Sequence, residues 1–218
     1  MRTAVALLFT YSLMPSAAAM AQENTVAIGR FSAGSLAGWE RKAFKGETRY
    51  SLVPDPDRRT TVLQATSDAA ASGLFRRVKV DLTKTPYLTW SWKVASTYPG
   101  IDENAKAGDD FPARVYVVVE RGLAGMSSIS LNYVWASQHA TGNLWPSPYT
   151  RQVQLLAVNS GAGGLNRWVR HKRDVRADLK GAFGEDIVSV DVVAIMTDSD
   201  NASGKATTSY GDLAFTAN

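Results

Sequence analysis

The chain has 218 residues, with 24 Lys and Arg against 20 Asp and Glu, and no cysteine. That length holds one ordinary domain with a sizeable core. The missing cysteine excludes disulfides, thiolate metal sites, a cysteine nucleophile and a cysteine-linked lipid anchor, and a net charge of +4 spread along the chain marks no nucleic-acid stripe.

Residues 1–21 differ from the rest. Arg2 gives a positive start, Ala4 to Leu13 is mostly apolar, and Ala19-Met20-Ala21 places small residues where a signal peptidase reads. The pattern predicts a secretory signal peptide cleaved after Ala21, since the apolar run is too short to span a bilayer. The expected product is one domain, residues 22–218, periplasmic or secreted, with no transmembrane segment. An exported domain without disulfides has to rely on its core.

Strand candidates then follow in order: Val26 to Phe31, Thr48 to Val53, Thr61 to Ala65 and Gly73 to Val80. Leu88, Trp90, Trp92 and Val94 alternate with Tyr87, Thr89, Ser91 and Lys93, which is period two with one apolar face. The same alternation runs through Val115, Val117 and Val119, and through Ile129, Leu131, Tyr133 and Trp135. Val153 to Val158, Trp168 to Lys172, Val190 to Met196 and Thr207 to Phe215 complete the series, all rich in β-branched and aromatic residues. Turn formers separate them, among them Pro54-Asp55-Pro56-Asp57 and Ser160-Gly161-Ala162-Gly163-Gly164, and Ala95 to Lys106 reads as a long surface loop. One helix is expected, capped by Asp174, striped by Val175, Leu179 and Phe183, and ended by Gly184. The fold class predicted is all-β: an antiparallel β-sandwich of jelly-roll type with one short peripheral helix. The basic run Arg167 to Arg176 reads as a solvated strand and helix start.

Two acidic turns stand out. Gly108-Asp109-Asp110 opens a strand-like run, and Asp198-Ser199-Asp200-Asn201 closes another. If those strands are antiparallel neighbours, both turns lie at one end of one sheet. Asp109, Asp110, Asp198, Asp200 and Asn201 are then candidate ligands for calcium, which takes six to eight oxygens, although the spacing and closing Glu of an EF-hand are absent. The bland alternative pairs these carboxylates with Arg114 and Arg151 or with turn amides. A pair of carboxylates could also serve acid–base cleavage of a glycoside, with Asp102 and Glu103 as further candidates.

The series Gly38-Trp39-Glu40, Glu47-Thr48-Arg49-Tyr50, Leu88-Thr89-Trp90-Ser91-Trp92-Lys93-Val94, Gly108-Asp109-Asp110-Phe111, Arg114-Val115-Tyr116-Val117, Tyr133-Val134-Trp135 and Met196-Thr197-Asp198-Ser199-Asp200-Asn201 resembles the bacterial family called domain of unknown function 3047. The resemblance spans nearly all of the expected mature chain. It implies an exported protein and carries over no catalytic residue. The layout also resembles jelly-roll carbohydrate-binding modules, a likeness of architecture only.

All six tryptophans lie beyond residue 21. Trp90 and Trp92 share the apolar face of a strand and belong to the core. Trp145 sits in Gly142-Asn143-Leu144-Trp145-Pro146-Ser147-Pro148-Tyr149, where two prolines stiffen the loop. Trp145 and Tyr149 are thus candidate stacking platforms for a sugar, unless the loop buries them against the sheet. With two histidines, His139 and His171, and no Gly-x-Ser-x-Gly motif, neither a zinc centre nor a serine hydrolase is indicated. The expectation is an exported, non-enzymatic binding module for an envelope or environmental glycan. Trp145 and Tyr149 would hold the ligand, with Arg114, Tyr116 and Asp110 as polar partners. The alternatives are a carbohydrate-active lyase or hydrolase using the acidic cluster, and an envelope protein-interaction domain.

Overall fold

The computed structural model describes residues 25–202 and 204–218. The signal-peptide expectation, residues 1–21, therefore lies outside the described residues. Among the described residues, fourteen strands form two sheets of seven strands each. The first sheet contains β1 (Thr25–Gly29), β3 (Arg49–Asp55), β4 (Thr60–Asp68), β6 (Tyr87–Val94), β11 (Val169–Asp174), β13 (Lys205–Tyr210) and β14 (Leu213–Thr216). The second runs β2 (Glu40–Lys45), β5 (Ala71–Asp81), β12 (Ser189–Met196), β7 (Arg114–Val119), β8 (Ile129–Ala136), β10 (Val153–Ser160) and β9 (Leu144–Pro146) in spatial order.

The alternating runs form the strands they predict, and their apolar faces meet between the sheets. Trp90 of β6 packs on Tyr133 of β8 with ring centroids 5.2 Å apart, and Trp92 packs on Trp135 at 6.4 Å. Val115, Val117, Leu131, Val193, Ile195, Leu63 and Phe215 close the same core. Each such side chain contributes about 1.5–3 kcal/mol by leaving water. The helix α1 (Val175–Phe183) forms as expected. The Asp174 carboxylate accepts from the Ala177 N–H at 3.0 Å, and Gly184 ends it in the left-handed region at φ 73°.

Three features differ from the sequence reading. The run 207–215 is two strands, β13 and β14, placed end to end along one edge of β6 and interrupted at Gly211-Asp212. The short strands β2 and β9 were not expected. The strands β8 and β10 pair in parallel, so the sandwich is not wholly antiparallel. Every residue of β8 is buried, as strands of parallel pairs often are on both faces. Its inner face joins the core. Its outer face lies under a second, smaller apolar cluster of Phe111, Val134, Ala136, Trp145, Leu155 and Ala157.

Candidate functional site

The strands β7 and β12 are antiparallel neighbours, with Arg114 opposite Met196. Period two makes Val115 and Val117 face the core and leaves Arg114, Tyr116 and Val118 on the outer face, beside Met196, Ala194 and Val192. The two acidic turns, one entering β7 and one leaving β12, therefore meet at one end of this face. Gly108 makes the first turn possible, because a Cβ there would collide with the Asp102 backbone.

Arg114 organises the cluster. Its Nε and Nη2 donate to the two carboxylate oxygens of Asp198 at 3.0 and 2.6 Å, and Nη2 also donates to the Asp109 carbonyl at 2.5 Å. Asp110 accepts from the Asn201 N–H at 2.9 Å and from the Ala202 N–H, which ties the second acidic turn to the first. The Tyr98 hydroxyl donates to the Asp198 carbonyl at 2.5 Å. The pairing with Arg114 and with turn amides is thus realised; Arg151 takes no part in these bonds.

Four carboxylates surround one guanidinium. Burial raises Asp198 to about 8, opposed by Arg114 and reinforced by Asp110. Burial likewise raises Asp110, with Asp200 adding to the effect. For Arg114, burial is outweighed by Asp109 and Asp198, which hold the guanidinium charged. The fork of two N–H donors on two oxygens is that of an ionised pair. The proton that crowding retains therefore belongs to the carboxylate cluster as a unit. Oxygens of Asp110, Asp198 and Asp200 lie within 4.8 Å of one another.

Above the cluster opens a pocket of about 410 Å³. Arg114, Tyr116, Met196, Asp109, Asp200 and Asn201 line its floor and sides, and Phe44 and Tyr149 are its walls. Both rings are more than half exposed, Phe44 at 58% and Tyr149 at 56%, and they are the only aromatics so exposed among the described residues. Phe44 was missed in the sequence. It lies on the edge strand β2 at a bulge, where the register with β5 shifts between Ala43 and Lys45. Bulges re-aim side chains in this way, and its ring packs edge-on to Phe75 at 6.3 Å. A lone aromatic in the charged run Glu40-Arg41-Lys42-Ala43-Phe44-Lys45 was the available signal. Burial, then the negative field of Asp109 and Asp200, raises the Tyr149 phenol.

Trp145 is placed differently from the expectation. It is 6% exposed, stacks on His139 with centroids 3.8 Å apart, and packs on Phe111 at 6.2 Å. The reason is β9, whose pairing of Trp145 with Leu155 sets the indole over the apolar outer face of β10. Of the expected platform, only Tyr149 reaches the pocket. Glu103 is buried and structural: its carboxylate accepts from the N–H groups of Ser137, Gln138 and His139 at 2.5, 3.1 and 3.0 Å. Asp102 holds Asn104 in an adjoining turn.

Beyond Tyr116 the same face continues into a second depression of about 420 Å³ lined by Phe75, Arg77, Val118 and Val192. Arg114 and Val118 are four residues apart on β7, about 13 Å along the strand.

Residues 37–214 match the family described as protein of unknown function (DUF3047), and the chain belongs to it. No curated protein matches the chain. Among solved structures, the family 11 carbohydrate-binding module of Clostridium thermocellum, in complex with a β-1,3-1,4-mixed-linked tetrasaccharide, is similar over 88% of this chain and 95% of its own. The identity is 10% and the TM-score 0.47. The adhesin domain of Lys-gingipain from Porphyromonas gingivalis covers 89% and 98% at 12% identity and TM-score 0.42. The xyloglucanase domain of a type three effector from Sinorhizobium fredii covers 84% and 96% at 11% identity and TM-score 0.43. Among the described residues no helix is long and apolar enough to cross a membrane.

Proposed function

We propose that this chain is an exported, non-enzymatic glycan-binding domain that holds its ligand on the outer face of the second sheet. One observation carries the reading: the only two strongly exposed aromatic rings among the described residues wall one pocket with a polar floor. Sugars present apolar C–H faces beside rings of hydroxyls. Phe44 and Tyr149 offer stacking surface, while Arg114, Asp109, Asp200 and Asn201 offer donors and acceptors in the same pocket. The adjoining depression past Tyr116 suits an extended chain over a single sugar. Export is supported by the leader pattern of residues 1–21.

The acid–base alternative has less support. Both oxygens of Asp198 are engaged by Arg114, and Asp110 is engaged by turn amides, so neither carboxyl is free to hand over a proton. Calcium is the ion that the oxygens of Asp110, Asp198 and Asp200 would take. Arg114 already supplies positive charge there, and the glycan reading stands without the metal.

The test is a glycan array probed with the protein from residue 22 onward, with calcium and with chelator, followed by calorimetry on hits. Phe44→Ala and Tyr149→Ala should each weaken binding about tenfold, the weight of one stacked ring in an interface, while the fold is retained. Unchanged affinity in both variants would move the site off this pocket. Product release from any hit would favour the enzyme, and loss of binding in chelator would install the metal. An empty array with a co-purifying envelope protein would favour the protein-interaction role.

A further inference from the structure

The basic run Arg167 to Arg176 divides into paired and unpaired cations. Arg173 forks onto Asp178 and Arg176 onto Asp186. Arg170 and Lys172 make no ion pair among the described residues. Both lie on β11, where Arg170 stands opposite Ser91 of β6 and Lys172 opposite Thr89. Opposite residues share a face, and Trp90 and Trp92 of β6 take the core side. Arg170, Lys172, Thr89 and Ser91 therefore point outward from the first sheet, on the far side of the sandwich from Phe44 and Tyr149.

A cleft of about 410 Å³ opens on that face. Thr89 and Ser91 floor it, Arg170 and Lys172 flank it on one side, and Arg58 and Asp212 on the other. Arg58 is held in place before any ligand arrives. Its guanidinium carbon lies 4.5 Å from the Trp168 ring centroid, and Nη1 donates to Ser91 Oγ at 2.7 Å. The break between β13 and β14 makes room for it, because a Cβ on Gly211 would collide with Arg58 Nη1 and Ser91 Oγ. Nε and Nη2 of Arg58 meet no acceptor among the described residues.

The uncommitted polar groups of the cleft are donors. Ser91 is buried and accepts from Arg58, so its own hydrogen is left to donate. Arg58, Arg170 and Lys172 supply the rest. The one carboxylate, Asp212, is occupied: its oxygens accept from the Ser32 N–H at 2.8 Å and the Ser32 hydroxyl at 2.5 Å. Thr89 already donates its hydrogen to the Ala214 carbonyl at 3.1 Å and adds only a neutral oxygen. Three cations against Asp212 leave a surplus of two positive charges in the lining. His171 adds none, since burial and Arg173 lower it to about 4. In the adjoining residues Lys93, Arg59 and Arg167 are matched by Asp55, Asp57 and Asp174, so the surplus stands.

We propose that this cleft is a second binding site, for a dianionic phosphate group held by Arg58, Arg170, Lys172 and the Ser91 hydroxyl. A phosphate monoester carries about 1.5 to 2 negative charges near pH 7 and three acceptor oxygens. That meets both the charge surplus and the excess of donors. A carboxylate brings one charge and two oxygens and would leave part of each unmet. The site shares no residue with the glycan pocket and does not rest on the glycan reading.

Calorimetry on the protein from residue 22 onward tests it. Glucose 6-phosphate should bind at least about tenfold more tightly than glucuronate. Arg170→Gln and Lys172→Gln, both at exposed positions, should each weaken the phosphate ester about tenfold, the range of one charge-assisted hydrogen bond, with the unfolding midpoint unchanged. Arg58→Lys keeps the charge but loses the planar fork, and should weaken it too. Tyr149→Ala should leave it unchanged. Inorganic phosphate and phosphatidate vesicles, run beside the sugar phosphate, separate the sources. The tightest of the three shows whether the group arrives free, on a soluble ester or on a lipid headgroup, and each supports the site if Arg170→Gln and Lys172→Gln weaken it. Equal or tighter binding of glucuronate overturns the phosphate assignment. Phosphate affinity that both Gln variants leave untouched, that Tyr149→Ala abolishes, or that is absent for all three probes at about 1 mM overturns the site and leaves the glycan reading as it stands.

Discussion

Trp145 and Tyr149 share one proline-bearing loop, yet the first is 6% exposed and the second 56%. The floor beneath each ring accounts for the difference. Trp145 is fixed by β9 over Val134, Leu155 and Ala157, an apolar patch that gains by being covered. Tyr149 follows after the strand has ended and stands beside Asp109, Arg114 and Asp200. Those groups lose hydration if a ring is laid over them without hydrogen bonds. The loop therefore carries an anchor and a contact residue in one short stretch. The anchor makes the contact residue stiff, so a ligand can use Tyr149 without ordering it first.

The anchor side should break hardest. Trp145→Ala removes the largest ring of the small cluster and should cost about 3–5 kcal/mol of unfolding free energy in a denaturant titration. Binding that depends on Tyr149 should weaken with it, although Tyr149 is untouched. A cost under about 1 kcal/mol would mean that the cluster is not a packed unit. The support beneath the anchor comes next. Glu103 accepts from three successive amides, the last of them that of His139, whose ring stacks on Trp145. Glu103→Gln keeps the shape but removes the charge and turns one acceptor into a donor, at about 2 kcal/mol. It should also loosen the loop, seen as faster amide exchange at residues 137–139.

Much of this arrangement was legible in the sequence, and the exceptions share a cause. Period two in Val115-Val117-Val119 and Val190 to Met196 marked the two strands and the acidic turn at the end of each, and it is their antiparallel pairing in the fold that brings Asp109 and Asp198 to one sheet end. The Asp174 cap and Gly184 stop were legible because caps are local chemistry. Phe44 was not, because all six residues of β2 are exposed and a strand without a buried face has no alternation to read. The fate of Trp145 turned on β9, three residues long and too short for any period. The parallel pairing of β8 with β10 is a matter of topology that leaves no mark on either strand. Phe44 lies on β2 and Tyr149 in the loop after β9, strands at opposite edges of the second sheet, and nothing in either segment marks the pocket that both line.

The polar side of the comparison is sharpened by pH. Burial and the neighbouring carboxylates raise Asp198 from an ordinary 3.8 to about 8, a proton held by the cluster as a unit, so the folded chain binds more protons than the unfolded one in that window. Stability from this group is fullest below about pH 4 and is lost as pH rises toward 8. Burial, with Arg173, lowers His171 from 6.5 to about 4, which has the opposite sign: stability rises between about pH 4 and 6.5. The two effects cancel up to about pH 6.5, and the cluster acts alone above it. Unfolding free energy should then fall by about 1–2 kcal/mol from pH 6.5 to pH 8. In Asp110→Asn, which removes one crowding charge, the fall should be smaller. The same fall in both proteins would place the titrating group elsewhere.

The smallest effect on stability should come from the exposed ring itself. Tyr149 contributes one long hydrogen bond, from its hydroxyl to the Lys106 carbonyl at 3.4 Å, and contact with the Lys106 ammonium. Both are solvent-exposed, so Tyr149→Ala should shift the unfolding free energy by no more than about 0.5 kcal/mol, an order of magnitude below Trp145→Ala. Tyr149→Phe keeps the stacking surface and should bind neutral glycan nearly as well as the wild type. If Tyr149→Phe lost as much affinity as Tyr149→Ala, the hydroxyl rather than the ring face would be the contact. If Tyr149→Ala destabilised the fold as strongly as Trp145→Ala, the division between anchor and contact residue would fail, since the exposed ring would then be holding the loop as well.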